Sequence, residues 1–302
     1  MTTLADRLLD ELAEIVRLMD ELLDTSTINW VPNRMRREAD RTGVAILGLS
    51  DGIWGPTDDR QKQLQRALLE RWNRWLEQVN LLFSGDTNQR KREVEKAARS
   101  VQSWIQRDGN HHSIPSTINE AKAVFRKMAD PLGAALRSLG TGGHLLVIPD
   151  TNVILRSPDI SKYGTVLDGA SAYSVLLVPG VLAELDEQKM NHRNPKVRER
   201  ARKVTSRIKG WRNQGDLAHG VKVQGDVYVR VEGREPDFKK TLSWLQSDVT
   251  DDRIIASILE VQRRHPTDRV VLLTGDTIML AKADSANVPT RDTPDPEVEE
   301  QP

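Results

Sequence analysis

The chain of 302 residues contains no cysteine, which removes several kinds of chemistry at once. Disulfides, zinc–thiolate sites, cysteine nucleophiles and iron–sulfur clusters are all excluded. No apolar run approaches the roughly 18 residues of a membrane span, and the first residues lack the basic and hydrophobic regions of a secretory signal. We therefore expect a cytoplasmic protein that does not associate with a membrane.

The sequence also lacks an excess of charge of either sign. It has 44 basic and 44 acidic residues, and it is 38% hydrophobic and 29% charged. This composition is typical of a globular protein, and the length is sufficient for about two domains. The two halves of the chain show different patterns of apolar residues and are considered in turn.

The first 140 residues carry apolar side chains at three- and four-residue spacing, which is the pattern of amphipathic helices. We predict helices at Leu4–Leu22, Asp59–Phe83, Asn88–Gln106 and from an N-cap at Ser116 or Thr117 onward. Pro131 is expected to end or kink the last of these, with a further short helix over Leu132–Leu139. Residues 1–140 are thus predicted to form an all-α region.

The segment from Trp30 to Thr57 does not follow this helical pattern. We interpret it as a loop and a short helix packed on the bundle, with an apolar run at Val44–Leu49. The alternative is a nucleic-acid or partner contact through its arginines, because arginine clusters suit phosphate binding. These arginines are Arg34, Arg36, Arg37 and Arg41. His111 and His112 lie in a polar loop and are interpreted as solvent-exposed.

From Gly140 onward, strands and helices alternate. Strands are predicted at Leu145–Ile148, Ser174–Val178, Val227–Val231, Arg269–Leu273 and Asn287–Thr290, with helices after Pro179, over Val197–Trp211, from a cap at Thr250 and after Asp276. This alternation implies right-handed βαβ units and a mainly parallel sheet. Residues 141–290 are therefore predicted to be an α/β domain, and the acidic, proline-rich residues 291–302 a disordered tail.

Four acidic residues share one position in this predicted sheet, at strand ends or helix starts: Asp150, Glu184, Asp251 and Asp276. In a parallel sheet these positions lie at the same edge, so the four side chains can converge. Converging carboxylates repel one another, and hard divalent cations with oxygen ligands relieve that repulsion. We predict that the four acids are catalytic and bind one or two Mg²⁺ or Mn²⁺ ions. Each acid alone could be only a cap or a turn residue.

The order of four short motifs resembles that of PIN domains. The motifs are Ile-Pro-Asp150-Thr-Asn-Val-Ile-Leu, Val178-Pro-Gly-Val-Leu-Ala-Glu184-Leu-Asp, Asp251-Asp-Arg-Ile-Ile and Val271-Leu-Leu-Thr-Gly-Asp276. The resemblance covers about Leu145 to Thr290, half of the chain. It implies a three-layer α/β/α fold and a metal-dependent nuclease, usually acting on RNA.

The resemblance also implies roles for individual residues. The four acids above would be the acidic set, and Thr151 or Asn152 would support the first of them. Asp251 has the spacing to the following isoleucine that the third motif requires, and Asp252 is the alternative. The long helical first half departs from the much shorter PIN toxins, which argues against a plain toxin role.

A basic stretch follows the second acidic motif. Between Lys189 and Arg212 there are ten lysines and arginines and one acid, Glu199. A solvated helix face normally carries charges of both signs, so we interpret this stretch as a surface for a nucleic-acid backbone. The residues expected to contact nucleic acid are Lys189, Arg193, Lys196, Arg198, Arg202 and Lys203. Lys282 is interpreted as a surface lysine, with phosphate contact as the alternative.

Together these features predict a hydrolase, a metal-dependent endoribonuclease that cleaves phosphodiester bonds in single-stranded or structured RNA. One alternative is a DNA or flap-type nuclease, which uses a related acidic pocket. Another is a module that binds nucleic acid or a partner with little turnover. The helical half could recruit a protein partner, mediate a homo-oligomer or mask the pocket.

Overall fold

The computed structural model describes residues 2–30, 52–107, 114–140 and 142–294. The predictions for the four arginines of residues 34–41, for the apolar run at residues 44–49, for the two histidines at 111 and 112 and for tail residues 295–302 lie outside this part. The chain divides into two compact units, one of which is Ala5–Leu139. The other runs from Gly140 onward and includes the first residues of the chain. None of the helices described is both long and apolar enough to span a bilayer.

The N-terminal half is helical, as predicted. Its elements are α1 (Leu4–Asp24), β1 (Ile28–Trp30), β2 (Gly52–Trp54), α2 (Asp59–Leu82), α3 (Asn88–Gln106) and α4 (Ile118–Arg137). The two short strands pair antiparallel and were not predicted. Trp72 and Trp75 stack at 5.0 Å between ring centroids, and both are buried. The tryptophans at helical spacing therefore form core.

The helix α4 shows one correct and one wrong prediction. Thr117 is its N-cap, and the Thr117 hydroxyl and the Glu120 carboxylate form a reciprocal capping box. The alternative in which the helix ends at Pro131 and a separate helix covers Leu132–Leu139 was wrong, because α4 continues through the proline to Arg137. Pro131 is exposed, so water can reach the carbonyl that loses its hydrogen bond, while the buried face continues on both sides.

The C-terminal half contains a six-stranded sheet. Its strands are β3 (Leu145–Pro149), β4 (Ala172–Leu177), β5 (Val221–Gln224), β6 (Asp226–Val231), β7 (Arg269–Leu273) and β8 (Thr290–Arg291). Its helices are α5 (Thr151–Arg156), α6 (Pro179–Asn191), α7 (Pro195–Gln214), α8 (Thr250–Arg264) and α9 (Thr277–Ser285), with 3₁₀ turns at Ile160–Val166 and Phe238–Lys240. The strand order is β5-β6-β4-β3-β7-β8. All neighbours are parallel except β5 and β6, which confirms the mainly parallel sheet.

The strand β3 lies at the centre of this sheet. All five of its residues are buried, as expected for an aliphatic run covered on both faces. Val147 pairs with Val175 of β4 on one side and with Val271 of β7 on the other. The chain therefore leaves β3 in one direction and later returns on its other side. Such a switch point opens a crevice at the carboxyl ends of the strands, where α/β proteins bind ligands.

Three local predictions in this half need correction. The last strand is Thr290–Arg291 rather than Asn287–Thr290, because Asn287 has a φ of 52°, which does not fit a strand. Thr250 does not cap α8 but is its first residue, and the cap position is Val249 without a side-chain hydrogen bond. The edge strand β5 was not predicted, and Gly225, with a φ of 55°, separates it from β6.

Candidate active site

Asp150 lies at the carboxyl end of the central strand β3 and is the N-cap of α5. Its side chain is buried, with 5% exposed. One carboxylate oxygen, Oδ1, accepts the Val153 N–H at 2.7 Å, and Oδ2 accepts the Thr274 hydroxyl at 2.5 Å. Burial raises the pKa of Asp150, these hydrogen bonds oppose the rise, and the nearby Asp276 charge adds to it.

Thr274 connects Asp150 to Asp276. It follows β7, is buried, and its hydroxyl oxygen also accepts the backbone N–H of Asp276 at 3.0 Å. Asp276 is exposed and caps α9, where its Oδ1 accepts the N–H groups of Ile278 and Met279 at 2.8 and 2.9 Å. The ends of neighbouring strands β3 and β7 thus hold two acids, and one hydroxyl joins the carboxylate of Asp150 to the backbone of Asp276.

Glu184 connects to the same strand end through Thr151. The Thr151 hydroxyl donates to Glu184 Oε2 at 2.7 Å, and the Gln188 amide donates to Oε1 at 3.2 Å. Glu184 lies in the second turn of α6 and is half-buried. The side chain of Asn152 is exposed, and its backbone N–H donates to Asp150. Of the two candidates for support, Thr151 is the one whose side chain binds a predicted acid, which is Glu184 rather than its neighbour Asp150.

Asp251 and Asp252 lie in the first turn of α8 and share one lysine. Lys282 Nζ lies 3.3 Å from Asp251 Oδ2 and 2.7 Å from Asp252 Oδ1. Partial burial acts to lower the pKa of Lys282, but the two carboxylates raise it above its ordinary value. With only 22% of its side chain exposed, Lys282 is not the surface lysine that we expected.

The two neighbouring acids of α8 differ in accessibility. The Asp252 side chain is 7% exposed, and its Oδ2 also accepts the backbone N–H of Gln246 at 2.9 Å. The Asp251 side chain is 38% exposed. Asp251 therefore has the carboxylate that a ligand in solvent can reach, whereas Asp252 holds the preceding loop. This difference supports Asp251 as the third acid of the site.

The predicted acids do not close around a single point. Within residues 2–30, 52–107, 114–140 and 142–294, no three acidic, histidine or cysteine side chains are grouped tightly enough to hold a metal ion. The site consists instead of the linked pair Asp150 and Asp276, of Glu184 held by Thr151, and of Asp251 held by Lys282. All of these groups supply carboxylate oxygens.

The basic stretch forms the end of α6 and the helix α7. Arg193, Lys196, Arg202 and Lys203 are exposed. Lys203 forms an exposed ion pair with Glu199 at 3.3 Å, and the other two predicted contact residues also have partners within the protein. Lys189 pairs with Asp186 at 2.6 Å, and Arg198 donates to the backbone carbonyl of His192 at 2.5 Å. An open groove is lined by Glu184, Gln188, His192 and Arg193, among others, and so contains one of the four predicted acids and one of the exposed cations.

The sheet and its switch point define a mainly parallel α/β fold with acidic residues at the carboxyl ends of its strands. The family model for the PIN domain matches residues 147–294, from within β3 to just beyond β8. The C-terminal half of the chain therefore belongs to the PIN domain family, which confirms the resemblance found in the sequence. Comparison with curated proteins gave no match. Membership in this family places the chain among nucleases, hydrolases whose substrates are nucleic acids.

Two residues of the site were not identified from the sequence. Thr274 appeared only as an unassigned residue of the fourth motif, and Gln246 was not considered. A hydroxyl two residues before Asp276, at the end of a buried strand, is the signal that could have pointed to Thr274. The contact between Gln246 and Asp252 is made by the backbone N–H of Gln246, so no pattern of side chains in the sequence predicts it.

Proposed function

We propose that the C-terminal unit is a Mg²⁺- or Mn²⁺-dependent endoribonuclease that hydrolyses phosphodiester bonds in single-stranded or structured RNA. The observation that carries this proposal is the environment of Asp150. A buried carboxylate with a raised pKa lies beside a second acid at the switch point of the sheet. Such a group is costly in the absence of a positive charge, and a divalent cation would remove that cost.

The carboxylate oxygens of the site fit Mg²⁺ or Mn²⁺. Mg²⁺ in particular is usually bound by one or two carboxylates together with water and substrate phosphates, rather than by a cage of protein ligands. Asp150 and Asp276 would provide that pair, with Glu184 and Asp251 as the further acids of the set. When bound, the metal would neutralise phosphate charge and make water a better nucleophile.

The residues of the chain itself hold this site in place. The Val153 N–H and the Thr274 hydroxyl fix both oxygens of Asp150, and Thr151 orients Glu184. Lys282 balances the charge of Asp251 and leaves that carboxylate partly exposed. Catalytic geometry must hold to within a fraction of an ångström, and such hydrogen bonds are how proteins achieve this.

The exposed cations of α7 and the turn before it would bind the RNA backbone. The stretch from Lys189 to Arg212 that contains these cations has ten basic residues and one acid, and Arg193 lines the groove that contains Glu184. Phosphate contacts supply most of the sequence-independent affinity of nucleic-acid-binding proteins. We propose that the strand is placed across the acidic residues by these exposed cations, which are Arg193, Lys196, Arg202 and Lys203.

The proposal is tested by incubating the full chain with end-labelled single-stranded RNA or DNA in Mg²⁺, Mn²⁺ or EDTA. We expect metal-dependent cleavage of RNA that exceeds cleavage of DNA. Asp150→Asn should reduce the rate by more than the roughly 10- to 100-fold typical of losing an outer partner of a metal site. Asp226 is an exposed acid at the opposite edge of the sheet, so Asp226→Asn serves as the matched control. This variant should cleave RNA like the wild type.

Four results would contradict the proposal. Cleavage that persists in EDTA, or in the Asp150→Asn variant, would mean that the activity does not arise from this site. Preference for DNA would favour the DNA nuclease. Tight binding of RNA without any cleavage by the wild type would favour a binding module.

A further inference from the structure

An exposed apolar surface lies next to the acidic residues of α8 and α9. Trp244 is 39% exposed and Ile278 is 63% exposed. Both side chains line one open hollow, together with Ala281 and Lys282 of α9. Large exposed apolar side chains that lie together often mark a binding surface. We call Trp244 and Ile278 the apolar platform.

The platform is held by the same residues that form the candidate active site. Trp244 lies in a turn between the buried residues Leu242 and Leu245, whose backbones are hydrogen bonded at 3.1 Å. The next residue, Gln246, donates its N–H to Asp252 at 2.9 Å. On the other side, Ile278 lies in the first turn of α9, and its own N–H donates to Asp276 at 2.8 Å. The platform is thus fixed directly beside the acids.

We infer that the apolar platform stacks against an unpaired nucleobase of the substrate, so that the strand must be single-stranded next to the bond that is cleaved. This inference rests on the proposed nuclease function and specifies its substrate. An indole offers a flat apolar face on which any base can stack, and such contacts are largely independent of sequence. Lys282 borders the same hollow, and because its ammonium group pairs with Asp251 and Asp252, this surface offers apolar contact rather than a free cation.

The size of the surface favours a base over a protein partner. A stable protein interface usually buries about 800 Å² on each partner, far more than two side chains can offer. A base within a duplex is already stacked on its neighbours and cannot present its face to Trp244. The platform therefore predicts discrimination between single and double strands, which simple phosphate binding by α7 would not provide.

The test uses the full chain with Asp150→Asn, so that cleavage does not consume the ligand. Affinity for a fluorescein-labelled 12-nucleotide RNA, single-stranded or annealed to its complement, is measured by anisotropy at one fixed salt concentration. Adding Trp244→Ala should weaken binding of the single strand by roughly 5- to 150-fold and leave duplex binding unchanged. Trp244→Phe should restore most of the affinity. Tyr228 on β6 is a comparably exposed aromatic residue, so Tyr228→Ala is the matched control and should not change either affinity.

Ile278→Ser provides a second variant. Because Ile278 is 63% exposed, this change should not disturb folding. It should also weaken single-strand binding selectively. Unchanged single-strand affinity in both platform variants, or equal losses for single strand and duplex, would overturn the inference. A change in oligomeric state without a change in RNA affinity would also overturn it and would identify a protein contact.

The outcome of this test is separate from that of the nuclease proposal. If the wild type cleaves RNA and the platform variants bind like their parent, the nuclease stands and the platform is refuted. If the platform variants lose single-strand affinity but the wild type cleaves nothing, base stacking stands and the nuclease proposal fails.

Discussion

Replacing Asp150 by asparagine should change stability in a way that depends on divalent metal. The substitution removes a charge that burial and Asp276 both disfavour, and it disturbs the hydrogen bond from Thr274. A hydrogen bond of this kind contributes about 1 kcal/mol, and the relief of the buried charge acts in the opposite direction. In EDTA we therefore expect the free energies of unfolding of the variant and the wild type to differ by no more than about 1 kcal/mol, although a buried polar group has been altered.

Divalent metal should stabilise the wild type but not the Asp150→Asn variant. A ligand that binds only the folded state at 100 times its dissociation constant stabilises by about 2.7 kcal/mol. For a domain of 150 to 250 residues this corresponds to a rise in Tm of roughly 5–10 °C. We expect that rise in Mn²⁺ for the wild type and little or none for Asp150→Asn, because the carboxylate that would bind the ion is gone. Differential scanning calorimetry of the full chain measures both values.

The stability difference between the wild type and Asp150→Asn should change with pH in one direction. Burial raises the pKa of Asp150 in the folded state, so the folded protein holds its proton more tightly than the unfolded chain. In EDTA, wild-type stability should therefore fall relative to Asp150→Asn as the pH rises from the ordinary range of an aspartate through the raised pKa. Below that range both side chains are neutral, and the difference in stability should no longer change with pH.

The exposed acid Asp226 provides the control for nonspecific metal effects. Asp226→Asn should keep the full Tm increase in Mn²⁺, since Asp226 lies at the amino end of β6, away from the switch point. An equal increase in Asp150→Asn would show that the ion binds elsewhere. No increase in the wild type would refute the metal site itself, and a wild type that gains stability relative to Asp150→Asn with rising pH in EDTA would refute the account of Asp150.

Two further predictions concern the residues around the acids. Thr274→Val should lower the cleavage rate by roughly 10- to 100-fold, because Asp150 loses the hydroxyl that orients it, whereas Thr274→Ser should retain most activity. In RNA binding, a triple alanine variant of the exposed cations should reduce the slope of log affinity against log salt by roughly 2. Its residues are Lys196, Arg202 and Lys203. A matched triple variant in the helical unit, which changes Arg60, Arg92 and Lys96, should leave the slope unchanged; equal slopes for both variants would refute the role of α7.

Most of the fold could be predicted because apolar spacing records which side of each element is buried. The buried strand β3 and the helices of the N-terminal half follow directly from such patterns. The failures arise where this signal is weak. At Pro131 the predicted break depended on a local preference, whereas the buried face of α4 continues past it. At Asn287 the aliphatic neighbours suggested a strand, but the backbone turns there with a positive φ.

The acidic residues could be predicted in kind but not in arrangement. The position of each acid after a strand or at a helix start places all of them at one edge of a parallel sheet. The sequence could not show that Asp252 faces inward and Asp251 outward, because adjacent residues on a helix differ by about 100° in direction. Nor could it show that Lys282 pairs with both, since this contact joins two helices about 30 residues apart.

Capping alone does not explain the residue at position 150. A serine, threonine or asparagine would cap α5 about as well as Asp150 does, and none of them would bring a negative charge into a buried position beside Asp276. Natural proteins often tolerate destabilising arrangements where function needs them. The charge of Asp150 is the one property that the capping role does not use, and it is the property that a cation and a phosphodiester substrate require. This argues that the site was shaped for binding a ligand rather than for folding.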